Sequence, residues 1–234
     1  MQLFYSTEIT DTNNTFIFSK EESKHIVKVL RKKEQDVLFV TNGKGSIFKC
    51  EINSANDKKC SVSILETTTQ KASKYSLHLA VAPTKMNDRY EWFLEKATEI
   101  GITEITPIIC DHSERKIIKP ERFEKILESA MKQSLSAYKP ILNESISFKN
   151  FVAETKSQTK FIAHCEETDK KSLKKELKPN QDYLILIGPE GDFSKKEIDL
   201  ALKHNFIPVT LGETRLRTET AAIVACHSVA FVNE

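Results

Sequence analysis

The sequence predicts an α/β chain in which a small β-rich unit precedes a larger parallel sheet covered by helices. Three observations carry this reading. Near the N-terminus, Val37-Leu-Phe-Val-Thr41 and Ser46-Ile-Phe-Lys-Cys-Glu-Ile52 flank Asn42-Gly-Lys-Gly45, the pattern of a β-hairpin. Beyond residue 76, apolar runs alternate with helical periodicities, which implies a parallel sheet buried on both faces. Tyr183-Leu-Ile-Leu-Ile187 lacks the polar/apolar alternation of a half-exposed strand and so belongs in the middle of such a sheet.

The remaining elements follow in order. Ser19-Lys-Glu-Glu22 fits a capping box and opens a helix with Ile26, Val29 and Leu30 as its apolar stripe. Ser61-Val-Ser-Ile-Leu65 alternates as a half-buried strand does. Residues 66–75 are polar and aperiodic and read as the linker between domains. After it, Leu77-His-Leu-Ala-Val-Ala82 reads as a strand. Trp92, Phe93, Lys96, Ala97 and Ile100 give a helix over 89–100, with Gly101 placed to end it. A strand at 105–110, a helix over about 120–137 and a strand at 160–164 come next. Past Tyr183–Ile187, a second capping box, Ser194-Lys-Lys-Glu197, starts a helix over 194–204. A strand at 206–211 and a final helix from Thr218 complete the chain, with Thr218 as N-cap and Glu219 suited to the positive end of the helix dipole.

Composition narrows the function classes. At 234 residues, 39% apolar and 29% charged, the chain suits one large or two smaller soluble domains. No apolar run approaches a membrane span, and Met-Gln-Leu-Phe-Tyr-Ser-Thr-Glu lacks the regions of a signal peptide, so a cytoplasmic protein is expected. The five cysteines are scattered and include no C-x-x-C pair, which argues against a disulfide framework or zinc ribbon. Cys110 with His112, and His164 with Cys165, are poor chelating pairs because neighbours on a strand point to opposite faces; no metal is expected. The net charge of +2 does not by itself indicate nucleic acid. Residues 1–75, however, carry 12 Lys/Arg against 9 Asp/Glu, net +3, and the remainder 23 against 24, net −1. The front is the better place to seek a polyanion. There Lys24, Lys28 and Arg31 share a helical face, with Lys32 nearby; a merely solvated face is the alternative.

Two loops carry the site. Gly188 to Phe193 lies at the carboxyl end of a central strand, where α/β sheets bind ligands. Gly188 and Gly191 let backbone approach a ligand, and Pro189 stiffens the loop; an ordinary strand-to-helix turn is the alternative. In Thr210-Leu-Gly-Glu-Thr-Arg-Leu-Arg-Thr-Glu-Thr-Ala-Ala222 a strand again ends in glycine before a helix, and Arg215 and Arg217 can aim cations at one place. Neither loop is a Walker phosphate cradle, a dinucleotide fingerprint or a nucleophile elbow.

Together, "LILIGPEGDFSKKEI" and "LGETRLRTETAA" resemble the signature of the RsmE-type 16S rRNA uracil-N3 methyltransferases, of the SPOUT superfamily. "KATEIGITEITPIICDHSER" is similar to that family's first catalytic-domain segment, and "HIVKVLRKKEQD" to its PUA-like domain, so the likeness covers nearly the whole chain. It implies a PUA-like RNA-binding β-barrel domain at 1–70 and, at 71–234, a SPOUT α/β-knot methyltransferase domain with a C-terminal trefoil knot. It further implies S-adenosylmethionine as cofactor, 16S rRNA within the small subunit as partner, and a homodimer. Carried over, Gly188, Pro189, Glu190, Gly191, Leu211, Gly212, Leu216, Arg217, Thr218 and Thr220 bind the cofactor. Arg217 stabilises the developing uracil anion and Glu219 orders the loop. Lys24, Lys28, Arg31 and Lys32, with Lys85, Arg89 and Arg115, contact RNA.

Two departures stand out. Asp192 replaces the family's second glycine after Gly-Pro-Glu-Gly, and Leu135-Ser-Ala-Tyr-Lys139 stands where members often carry Gly-Arg. Lys139 lacks the bidentate fork of that arginine. Two other readings remain open, a SPOUT enzyme with another RNA target and a non-catalytic RNA-binding assembly factor. The apolar character of the final helix, from Ala221 to Val232, suits a subunit interface or burial within one chain.

Overall fold

A computed structural model describes residues 1–156 and 159–234. By contact the chain divides into two compact units. The first comprises Met1–Ala72 with Met131–Lys139, and the second Ser73–Ala130 with Pro140–Glu234.

In the first unit, β1 (Leu3–Tyr5), β2 (Thr15–Ile17), β3 (Val37–Thr41), β4 (Ser46–Ser54) and β5 (Ser61–Thr69) form a sheet in the order β1-β3-β4-β5-β2. Only β1 and β3 run parallel. Inward-facing Phe48, Cys50 and Ile52 of β4 alternate along the strand and join Phe4, Val40, Val62 and Ile26 in one apolar core. The predicted hairpin forms: Asn42 Oδ1 accepts from Lys44 N at 2.8 Å and Ser46 N at 3.3 Å. Gly43 and Gly45 take φ of 72° and 107°, and a Cβ on Gly45 would collide with the Tyr138 ring. The segment after the third helix closes on this turn, since Ala137 O accepts from Gly45 N at 2.9 Å and Lys139 N donates to Gly43 O at 3.0 Å.

Four expectations for local structure need correction. Residues Glu66 to Thr69 are not linker but the end of β5, because cross-strand pairing with Ser46 to Lys49 outweighs their polar composition. The first helix, α1 (Lys20–Lys24), is capped by Ser19 as expected but continues as a π-helical turn over His25–Val29. That turn widens the spacing, so Ile26 is buried, Val27 and Leu30 pack on the core, and Val29 is 66% exposed. It also ends the helix before Arg31, which sits at φ 54° and does not extend the face of Lys24 and Lys28. Finally, the helix starting at Pro120 ends at Gln133, and Leu135 turns away at φ 57°.

The second unit contains β6 (Leu77–Val81), α2 (Asn87–Ile100), β7 (Glu104–Ile109), α3 (Pro120–Gln133, its last turn belonging to the first unit), β8 (Ile141–Leu142), β9 (Ile146–Ser147) and α4 (Phe148–Glu154). It continues with β10 (Lys160–Ala163), β11 (Lys171–Ser172), α5 (Leu173–Glu176), β12 (Tyr183–Ile187), α6 (Lys195–Lys203), β13 (Ile207–Thr210) and α7 (Thr218–Asn233). All described pairings are parallel, in the order β11-β13-β10-β12-β6-β7-β8, with β9 on β7.

Every residue of β12 is buried because the sheet is covered on both sides. Tyr183, Ile185 and Ile187 join Leu77, Leu79 and Val81 under α2 and α7, while Leu184 and Leu186 face α4 and α6 through Phe148, Phe151, Ile198 and Ala201. Gly101 ends α2 at φ 102°, and Ser194 and Glu197 form the reciprocal capping box of α6. Among the described residues no helix is long and apolar enough to cross a membrane.

The π-helical turn makes a test. Ile26→Ala costs about 2–5 kcal/mol in urea unfolding, whereas Val29→Ala changes stability by less than about 0.5 kcal/mol; equal losses would contradict the register described.

Candidate active site

The parallel order places the carboxyl ends of β13, β10 and β12 side by side, and the chain leaving each strand builds one wall of a groove. Two adjoining cavities form it. One, of about 210 Å³, lies between Ala163 to Cys165 and Thr210 to Leu216; the other, of about 260 Å³, lies between Ile187 to Asp192 and Arg215 to Thr218. Ala163, Cys165, Arg215, Leu216 and Ala221 wall both.

Side-chain-to-backbone bonds lock these loops together. Thr218 is the first residue of α7 and not its N-cap, which is Arg217; its hydroxyl instead donates to Gly188 O at 3.0 Å. Arg215 Nη2 donates to Glu190 O at 3.3 Å, and Glu190 Oε1 accepts from Lys85 N at 2.9 Å. Asp192 Oδ2 accepts from Cys165 N at 2.8 Å, joining the β12 exit to the β10 exit. His112 Nδ1 faces two carbonyls, Gly191 O at 3.1 Å and Asp192 O at 3.0 Å, so it carries the ring proton and donates. Glu197 Oε1 accepts from Asp111 N at 2.9 Å and Ser194 Oγ donates to Asp111 Oδ2 at 2.6 Å. The Cys110–His112 stretch is thus a brace for the glycine loop. Among the described residues no group of three or more His, Cys, Asp or Glu could hold a metal ion.

Packing around the loop also constrains the two glycines. A Cβ on Gly188 would press on the Phe193 ring and backbone at 3.1–3.2 Å, and one on Gly191 would lie 3.1 Å from His112 Cβ. Close packing within the loop therefore selects glycine at both positions. The left-handed residue is Asp192, at φ 63°, a conformation that aspartate tolerates and that aims its carboxylate at Cys165 N.

Of the sequence-predicted cofactor residues, Gly188, Pro189, Glu190, Arg217 and Thr218 line the second cavity, Leu211 and Gly212 the first, and Leu216 both. Gly191 and Thr220 line neither. Glu219 is buried and lines neither cavity, its Oε1 3.9 Å from Arg89 Nε on α2. Arg217 is exposed; its carbonyl accepts from Ala221 N at 2.8 Å, and its guanidinium makes no hydrogen bond or ion pair among the described residues. Among the proposed RNA contacts, Lys24 and Arg31 are exposed, Lys28 Nζ lies 3.5 Å from Asp57, and Lys32 is half-buried. Lys85 pairs with Glu114 at 2.8 Å, and Arg115 donates to Thr84 O and Lys85 O. Lys139 lies over the Tyr5 ring in the first unit, 5.4 Å from its centroid. Sequence reasoning missed Ala163, His164, Cys165 and Lys170. The strand ending at 163 was visible, but only its place between β12 and β13 reveals that its exit is a groove wall.

The chain matches the RNA methyltransferase domain family over residues 70–230 and the RNA methyltransferase PUA domain family over residues 18–65. The chain belongs to the ribosomal RNA small subunit methyltransferase E family. It is 30% identical to the member from Buchnera aphidicola subsp. Acyrthosiphon pisum, covering 94% of this chain and 89% of that one. The member from Rickettsia conorii is 28% identical, covering 97% and 94%. Among solved structures, a probable rRNA-methyltransferase from Porphyromonas gingivalis superposes with a TM-score of 0.91 at 42% identity, covering 100% of this chain and 98% of that one. The methyltransferase E of Neisseria gonorrhoeae bound to S-adenosyl methionine gives 0.87 at 27% identity, covering 100% and 98%. Like other members of the methyltransferase E family, the protein is an rRNA methyltransferase with a PUA-like front and a SPOUT-type α/β domain.

Among the described residues one thiol is exposed, Cys165, and it lies in the groove. Burial pushes the Cys50 and Cys226 thiols up to about 12 and raises those of Cys60 and Cys110, whereas Cys165 is exposed. Iodoacetamide on the native chain therefore alkylates Cys165 first, and Cys165→Ser removes the fast phase; rapid labelling elsewhere in the Ser variant would contradict this burial pattern.

Proposed function

We propose that the groove binds S-adenosylmethionine and that the chain transfers its methyl group to N3 of one uracil in 16S rRNA. The observation that carries this reading is the meeting of the β10, β12 and β13 exits in one groove with apolar walls, backbone edges and charges of both signs. Such a lining fits a nucleoside and a sulfonium: Ile187, Pro189, Leu216 and Ala221 offer apolar surface, and Glu190 and Asp192 offset positive charge. The S-adenosyl methionine-bound relative from Neisseria gonorrhoeae supports the assignment.

The bound cofactor supplies an activated methyl group; the residues of this chain supply position and field. Uracil N3 is an imide nitrogen that becomes a strong nucleophile only as its proton leaves. It also lies on the Watson–Crick edge, so the target base must be unpaired or extruded. Most of the catalysis is alignment of N3 with the methyl group by loops already locked to one another. Arg217, exposed in the lining of the second cavity, stabilises the uracil anion as N3 gives up its proton to solvent. Glu219 beside it fixes the start of α7 through Arg89. With the cofactor bound, transfer would break its C–S bond as the N–CH3 bond forms and would release S-adenosylhomocysteine.

In this reading residues 1–70 act as an RNA-binding module, with Lys24, Lys28, Arg31 and Lys32 on rRNA phosphates. In the second unit Lys85, whose N–H is bonded to Glu190 of the groove wall, Arg89 and Arg115 are further RNA contacts. The active species is a cytoplasmic homodimer, and the small ribosomal subunit presents the rRNA. The outward side of α7, with Phe231 62% exposed and His227 exposed beside half-buried Ile223 and Val224, supplies apolar surface for the subunit contact. A trefoil knot in the C-terminal part of the second unit belongs to the same reading.

Two measurements test the reading. Incubation with methyl-labelled S-adenosylmethionine and small subunits from cells lacking this activity places one methyl group on a uracil N3 of 16S rRNA, located by mass spectrometry; label on ribose or on another RNA would contradict it. Arg217→Ala lowers the methylation rate by about 100-fold or more while RNA affinity stays within about threefold. Full turnover by the variant would remove Arg217 from catalysis.

A further inference from the structure

The exit of β7 runs from Cys110 to the start of α3 at Pro120, on the same edge of the parallel sheet as the groove. β7 lies two strand positions from β12, about 10 Å. The segment is fastened to the groove wall in two places. His112 Nδ1 donates to Gly191 O and Asp192 O. Arg115 Nε and Nη2 donate to Thr84 O at 3.2 Å and Lys85 O at 2.9 Å, and Lys85 N in turn donates to Glu190 Oε1. Past Arg115, Ile118 packs on the core under α2 and α7, and Lys119 O accepts from Arg122 N at 3.1 Å, which ties the far end to α3. Between these anchors Ile117 faces out, 83% exposed, more than any other large apolar side chain among the described residues. A lone exposed apolar residue is ordinary on a protein surface. This one is held in place within two residues of a fastening to the groove wall, about 7 Å of chain at most. Lys116 and Lys119 flank it, both exposed, their ammonium groups without partners among the described residues. The nearby carboxylates are engaged or set back: Glu114 pairs with Lys85 Nζ at 2.8 Å, Asp111 accepts from Ser194 Oγ at 2.6 Å, and Glu121 belongs to the first turn of α3.

We propose that Ile117 is a wedge that enters the base stack of the rRNA beside the target uracil, with Lys116 and Lys119 on the phosphates to either side. The proposal rests on the functional reading above and names the residue that holds the substrate open. Uracil N3 reaches the groove only when the base leaves its stack, and the stack closes again unless something fills the gap. A branched apolar side chain fills such a gap, as apolar wedges do in proteins that unstack and kink nucleic acid. The phosphates flanking the kink bring negative charge to the two ammonium groups. The fastenings through His112 and Arg115 keep the wedge in register with the groove, so the gap is opened next to the methyl donor.

Single-turnover methylation of small subunits from cells lacking this activity, at saturating protein and methyl-labelled S-adenosylmethionine, tests the proposal. Ile117→Ala lowers the rate by about tenfold, while its affinity for S-adenosylhomocysteine and its unfolding midpoint match those of the wild type. Ile117→Leu, still a branched apolar side chain, keeps most of the rate. On subunits whose bases flanking the methylated uridine are changed to uracil, which stacks weakly, Ile117→Ala and wild type differ by less than about threefold; a purely structural role would show no such dependence on the flanking bases. Lys116→Ala combined with Lys119→Ala acts differently: it weakens subunit binding and lowers the slope of log affinity against log salt by about 1.5. A wild-type rate for Ile117→Ala overturns the proposal alone, as does a loss of the same size on both kinds of subunit. An unchanged salt slope in the double lysine variant removes the phosphate contacts from it. A wild type that methylates neither kind of subunit overturns the functional reading, and this proposal with it.

Discussion

Parallel pairing of β13, β10 and β12 forces three chain exits onto one edge of the sheet, and the rest of the site depends on that. Exits crowded together leave backbone carbonyls and amides that need partners, because unpaired buried groups cost several kcal/mol of desolvation in aggregate. Here each loop meets the need with a side chain from another. The Thr218 hydroxyl reaches Gly188 O, the Asp192 carboxylate takes Cys165 N, Arg215 reaches Glu190 O, and His112 holds the Gly191 and Asp192 carbonyls. The groove is thereby shaped before any ligand arrives. Methyl transfer has little covalent work for the protein to do, so a preset geometry is what such a reaction requires.

The departure at residue 192 fits this scheme. A glycine there would supply the left-handed conformation but no side chain. Asp192 adopts it at φ 63° and adds a bond to the neighbouring strand exit, trading backbone freedom for a cross-link. Its carboxylate also sets negative charge beside the groove, opposite Arg215 and Arg217. Charge within the second cavity is thus nearly balanced, which suits a cationic sulfonium approached by a base that turns anionic as it reacts.

Local structure is legible in the sequence where neighbours along the chain determine it. The Asn42–Gly45 hairpin, the Ser194–Glu197 capping box, the Gly101 stop and the five-residue strand at Tyr183 all depend on residues within a few positions of one another. Errors arose where distant contacts decide. Glu66 to Thr69 look like linker but pair with β4, and Val29 looks like core until the π-helical turn shifts it outward. Thr218 has the chemistry of an N-cap, yet its hydroxyl is taken by a carbonyl thirty residues away. At the site, Gly-Pro-Glu-Gly and Leu-Arg-Thr-Glu stood out as motifs, whereas Ala163 to Cys165 carry no motif. Their role comes entirely from the order of strands in the sheet.

The claim that these three exits together form the methyl-donor site is tested most directly by hydrogen–deuterium exchange with and without saturating S-adenosylhomocysteine. Protection should appear in the backbone around 163–165, 188–192 and 211–218 and leave the first unit unchanged. Protection centred on other segments, or binding without protection of all three, would contradict the account.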